Sequence, residues 1–164
     1  MTELLNALIE ALRNELRQYG EMLARLDEQQ DSIIRRAADD ILATVGSIQE
    51  QGAVLQSVRQ ERETRQRQLA RHLRQSEDAG LMALIEKMPP DYRPLAKALM
   101  DENNELLARV QQRARQNHLL LRRSLDLMQQ LLQSLMPSGH NSVYDHQGQT
   151  SGAEPAALLC NAAA

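Results

Sequence analysis

The sequence predicts an all-α protein: an antiparallel three-helix bundle of long helices, with a short extra helix and a flexible C-terminal tail. Three observations carry this. The 164 residues include three Tyr, no Phe and no Trp, whereas sandwiches and barrels are built from aromatic and β-branched residues. Leu is the commonest residue, at 27 copies, and Ala, Gln, Arg and Glu, all strong helix formers, are also abundant. Apolar residues recur at helical spacing over three long stretches, each closed by turn signals.

In the first stretch Leu5, Leu12, Tyr19, Leu26 and Ile33 keep a seven-residue beat, with Leu8, Leu16, Leu23 and Ala37 close to the same line. This is a coiled-coil-like seam on a helix of about 35 residues. Glu3, Glu10 and Glu15 near its start and Arg35 and Arg36 at its end suit the helix dipole. Asp39 and Asp40 then offer a break and an N-cap. A second stripe follows through Ile41, Val45, Ile48, Gly52 and Leu55 to Leu69 and Leu73. Gly46 and Gly52 each weaken a helix interior by about 1 kcal/mol relative to Ala. They suit either close approach of a neighbouring helix or a tolerated surface position.

Gly80 reads as the stop of the second helix. Leu81 to Met88 has room for two helical turns before Pro89 and Pro90 forbid continuation. Asp91 can cap the third long helix, with Pro94 in its first turn. That helix runs to about Met136, where Pro137, Ser138 and Gly139 end it. Its core row is Leu99, Asn103, Leu107, Val110, Ala114, Asn117, Leu121, Leu125, Met128, Leu132 and Leu135. The domain boundary therefore falls after residue 137: a helical domain over 1–137, then a polar tail over 138–164.

The charge balance, 19 basic against 22 acidic residues, gives no net field that would draw the chain onto nucleic acid. The six arginines of residues 59–74 read best as a solvated helix face. The single Cys160 excludes an internal disulfide. The N-terminus lacks a basic region followed by an apolar core, so no signal peptide is expected. No apolar run spans a bilayer. The chain is expected to be cytoplasmic, with no direct membrane insertion.

No phosphate-binding glycine loop and no nucleophile elbow occurs. His140, Asp145, His146 and Cys160 are metal-ligand types at no recognised zinc spacing. The carboxylates lie mostly on polar helix faces and converge on no pocket. The sequence thus predicts no enzyme, no catalytic residue, no cofactor and no metal.

Two features point elsewhere. Asn103 and Asn117 stand two heptads apart on the core row, where a polar residue fixes register because mispairing leaves its amide unsatisfied. Near the helix end, Leu120, Leu127 and Leu131 form an apolar stripe beside Leu121, Leu125, Met128, Leu132 and Leu135. The arc is about 160° wide at 100° per residue. It serves either as core or as a groove for a partner's amphipathic helix, with Met128 adding adaptability.

Residues 1 to about 150 resemble the FlgN family of flagellar type III export chaperones. The resemblance rests on the early Leu4-Leu5, the Arg-containing second helix and the proline-interrupted linker. It continues through Asn103-Asn104-Glu105-Leu106 followed by Asn117, and through Leu131-Leu132-Gln133-Ser134-Leu135. It ends on Val143-Tyr144-Asp145-His146-Gln147-Gly148-Gln149, which is similar to the family's Tyr-Gly-x-x-Gly element with Asp145 in place of the first Gly. The resemblance implies a small helical chaperone that binds the C-terminal helices of hook-filament junction proteins and presents them to the export gate. It implies a cargo surface in the C-terminal region, here Leu120, Leu127, Met128, Leu131 and Leu135, and gate docking through Tyr144 and Gly148. A dimerising coiled-coil adaptor, a homo-oligomer joined through the same stripes, is the alternative.

Overall fold

The computed structural model describes residues 1–135, all of them in helices or the short connections between helices. The elements are α1 (Thr2–Arg35), α2 (Ala38–His72), α3 (Leu81–Lys87) and α4 (Arg93–Leu135). The fold is the expected helical bundle, and no strand occurs among the described residues. The chain divides into two compact units, Met1–Arg123 and Ser124–Ala164, and the core described here belongs to the first.

α1 supplies the axis of that core. Its heptad row, Leu5, Leu12, Tyr19, Leu26 and Ile33, is buried throughout, none more than 5% exposed. Burial of each such side chain contributes about 1.5–3 kcal/mol, which is why one continuous row can hold so long a helix. At one end Leu5, Leu8 and Leu12 meet Leu69 and Ala70 of α2, Leu84 and Ile85 of α3, and Ala96 and Leu99 of α4. Farther along, Tyr19, Met22 and Leu26 pack with Leu55 of α2, and Leu107 and Val110 of α4 close over them. Hydrogen bonds fix the directions. Gln51 lies against Gln18 and Arg62 against Glu15, so α2 runs antiparallel to α1. Asn103 lies against Leu12 and Asn117 against Leu26, so α4 runs parallel to α1.

The buried face of α2 differs from the expected stripe. Thr44, Gln51, Leu55, Val58, Leu69 and Ala70 are inside, while Val45 is 37% exposed. Polar groups can occupy this face because they are paired. The Gln51 amide donates to the Gln18 main-chain oxygen at 3.1 Å and to its Oε1 at 2.9 Å. The Thr44 hydroxyl donates to the Ile41 carbonyl at 2.7 Å. Among the described residues nothing outside their own helix lies within 4 Å of a Cβ added at Gly46 or Gly52.

Three expected caps also move by a few residues. α2 begins at Ala38 behind Ala37, and Asp39 and Asp40 sit inside its first turn with no cap bond. There their charge still complements the helix dipole. α4 begins behind Tyr92, whose carbonyl accepts from Ala96 N–H, rather than behind Asp91. Gly80 is the N-cap of α3 at φ −58°; what stops α2 is Arg74, at φ 55°.

Both long helices before the linker end the same way. Arg36, at φ 57°, donates to the Ile33 carbonyl, and the next residue, Ala37, reaches back to Ser32. Arg74 donates to Arg71, and Gln75 reaches back to Ala70. These are Schellman closures with arginine where glycine is normally placed. The Cβ makes the left-handed conformation unfavourable, so Arg36→Gly should stabilise the fold by about 1 kcal/mol. A higher urea midpoint at unchanged slope checks this; an unchanged midpoint removes the strain argument.

Candidate functional site

The expected core row of α4 holds to Asn117 except at Ala114, which is exposed. Leu99, Asn103 and Asn117 are buried, and Leu107 and Val110 are half-buried. Leu120 and Leu121 are also half-buried. Beyond them both the row and the stripe lie open: Leu125 60%, Leu127 55%, Met128 60%, Leu131 61%, Leu132 54% and Leu135 76% exposed. The expectation that Leu125, Met128, Leu132 and Leu135 join the core is therefore corrected. The 3-4 spacing of these leucines makes a face capable of burial, and the described residues bury it against nothing. Six large apolar side chains, each more than half exposed over eleven residues, are the kind of patch that marks an interaction site. The segment 124–135 carries one charge, Asp126, which the 100° step places opposite the centre of the apolar arc.

Asn103 and Asn117 are placed alike. The Asn103 amide donates to the Leu12 carbonyl at 3.0 Å and to the Leu99 carbonyl at 2.9 Å. The Asn117 amide donates to the Leu26 carbonyl at 2.7 Å and to Gln29 Oε1 at 3.1 Å. The two asparagines are two heptads apart, and so are the two α1 carbonyls. Each Oδ1 is buried and has no hydrogen-bond partner among the described residues. Between them, Arg113 pairs with Asp27 at 2.8 Å and donates to Gln30 Oε1.

The arginines of residues 59–74 are mostly engaged within the fold. Arg71 makes a two-pronged contact with Glu77 at 2.6 and 2.9 Å, which holds the Glu77 carboxyl below its ordinary range. Arg65 pairs with Glu61, and Arg67 with Glu63. Arg62 is the exception to a solvated face: its side chain is 17% exposed and its Nε sits 2.9 Å from the carboxylate of Glu15, which is 6% exposed. Arg59 approaches the same carboxylate at 3.7 Å. Sequence reading gave Glu15 to the helix dipole; the signal it could have used was Glu15 lying four residues before Tyr19, on the edge of the buried row.

The Tyr19 hydroxyl donates to Glu15 Oε1 at 3.2 Å. Burial, then the Glu15 charge, push the Tyr19 hydroxyl up to about 12. A folded-state value above the unfolded one means the folded chain holds this proton more tightly. Its contribution is complete below pH 10 and lost as pH rises through about 12. Urea midpoints taken across that window should fall for the wild type and fall less for Tyr19→Phe. Parallel curves would show that Tyr19 ionises without opposition.

Tyr144 and Gly148, the expected gate-docking residues, lie outside the described residues, as do His140, His146 and Cys160. Among the described residues no cluster of metal-ligating side chains occurs, and no helix is long and apolar enough to cross a membrane. The first unit thus holds two buried asparagine amides on α1 carbonyls and a buried carboxylate with its arginines, and residues 124–135 carry an exposed apolar helix face. Residues 1–152 match the family model described as FlgN protein. The chain belongs to the FlgN family. That family is one of flagellar export chaperones. No curated protein and no solved structure matches the chain.

Proposed function

We propose that this FlgN-family chain is a non-enzymatic, cytoplasmic chaperone that binds the C-terminal helices of hook-filament junction proteins and presents them to the export gate. The observation that carries the reading is the open apolar face of α4 at Leu127, Met128, Leu131 and Leu135, with Leu120 half-buried at its edge. An amphipathic cargo helix needs a groove of this kind rather than a catalytic pocket. Asn103 and Asn117 have a separate role: bound to α1 carbonyls two heptads apart, they fix the register of α4 on α1.

Purified chain and full-length junction protein, mixed and sized by light scattering, test the reading. A mixed complex is expected, with no stable homodimer of the chain alone. A tight homodimer that ignores cargo would favour the coiled-coil adaptor. The gate assignment rests on Tyr144, whose ring offers a large amphipathic contact at low conformational cost. Tyr144→Ala should preserve melting temperature and cargo capture but weaken binding to the gate's cytoplasmic domain. Loss of stability with normal gate binding would make Tyr144 a structural residue.

A further inference from the structure

We propose that the groove between α2 and α4, floored by α1, docks a second kind of partner: an amphipathic helix that presents a carboxylate from within its apolar face. Two adjoining hollows of about 530 and 300 Å³ share Tyr19, Arg59 and Leu107. Together they form one trough. Leu55 and Gly52 stand on the α2 wall and Val110 on the α4 wall. The stretch of α2 along the larger hollow, Gly52 to Glu63, is about 16 Å long at the helical rise, or three turns of an incoming helix.

Charge sets the chemistry of the occupant. Arg59, Arg62, Glu15 and Glu63 line the trough; Glu63 pairs with Arg62 at 3.7 Å and with Arg67, farther along α2 and outside the trough, at 3.6 Å. Glu15 is already met by Arg62 at 2.9 Å, so Arg59, 3.7 Å away and 48% exposed, is the surplus cation. It lies beside apolar side chains, where a carboxylate from the occupant would be partly desolvated and its pairing strengthened.

Gly52 is the independent observation. It sits in the middle of α2, where glycine weakens a helix by about 1 kcal/mol relative to Ala. Among the described residues nothing lies within 4 Å of the Cβ it lacks, apart from its chain neighbours and its own helix's backbone, so packing among them gives no reason for it. It lines the trough, and a helix laid there could bring its backbone close at that point. The trough involves none of Leu127, Met128, Leu131 or Leu135, so this inference stands apart from the cargo reading.

The test uses the full chain and three designed amphipathic peptides of about 18 residues, identical except for Glu, Gln or Lys at the centre of the apolar face. The Glu peptide should bind about tenfold tighter than the Lys peptide, and should shift the amide resonances of Gly52, Arg59 and Leu107. Arg59→Gln should erase the preference. Gly52→Leu should weaken all three peptides without lowering the melting temperature, because its side chain fills open space in a better helix former. Leu127→Asp with Leu131→Asp should change nothing. Absence of saturable binding, resonance shifts outside the trough, or equal affinity for the three peptides would overturn the proposal. Should Gly52→Leu fold poorly, the same shift map with Gly52→Ala, which adds only a methyl group, still decides it.

Discussion

Leu127→Asp combined with Leu131→Asp is expected to abolish capture of hook-filament junction proteins while leaving the helical signal and melting temperature near those of the wild type. The two leucines are 55% and 61% exposed, so a carboxylate at either position remains hydrated. Substitutions at such positions usually change stability by no more than about 0.5 kcal/mol. The same charge placed under a docked helix would be buried without a partner, which costs several kcal/mol. A loss of about 3 kcal/mol weakens binding more than a hundredfold. Calorimetric titration with the C-terminal helical segment of a junction protein reads the affinity, and circular dichroism reads the fold. A double variant that unfolds would make the stripe part of a core. A folded variant that binds normally would move the cargo surface elsewhere.

The heptad row of the first helix was legible in the sequence because each member from Leu5 to Ile33 is apolar or Tyr and the row never changes face, although the same helix also buries Glu15, Gln29 and Ser32. α2 was harder to read for a definite reason. Its buried face includes Thr44 and Gln51, and a hydropathy pattern cannot reveal that Gln51 finds Gln18 across the helix pair. The same limit hid Glu15, whose charge is tolerable inside only because Arg62 arrives from a helix 47 residues later. α4 shows the opposite failure. Its periodicity continues smoothly past Leu121, but periodicity reports a face able to be buried, not the presence of something to bury it. That is why Leu125 and Leu132, read as core, are open. The asparagines were legible because a polar residue interrupting an apolar row at heptad spacing is itself a signal. The partners of Asn103 and Asn117, main-chain carbonyls of α1, carry no sequence mark at all.

Arg62→Met should produce the largest loss of stability of any single change to a side chain outside the apolar core. Its guanidinium is the nearest counter-charge to a carboxylate that is 6% exposed, and it also donates to Gln66 Oε1 at 2.9 Å. Gln66 in turn donates to the Ala79 carbonyl at 2.8 Å, so the same arginine helps to fasten the linker before α3. Removing one member of a buried ion pair strands the other, at about 3–5 kcal/mol. Arg59, at 3.7 Å and half exposed, can turn inward and recover part of this, so a net cost of about 3 kcal/mol is expected. In a domain of this size that lowers the melting temperature by about 10 °C. The stranded charge, rather than lost packing, is the cause to be demonstrated, and the double variant does so. Glu15→Gln removes the charge while keeping an acceptor for the Tyr19 hydroxyl, so Glu15→Gln with Arg62→Met should melt well above Arg62→Met alone. Additive losses would mean that Arg62 acts through its aliphatic stem and its bond to Gln66. An Arg62→Met chain that melts with the wild type would show that Arg59 alone suffices as the counter-ion of Glu15.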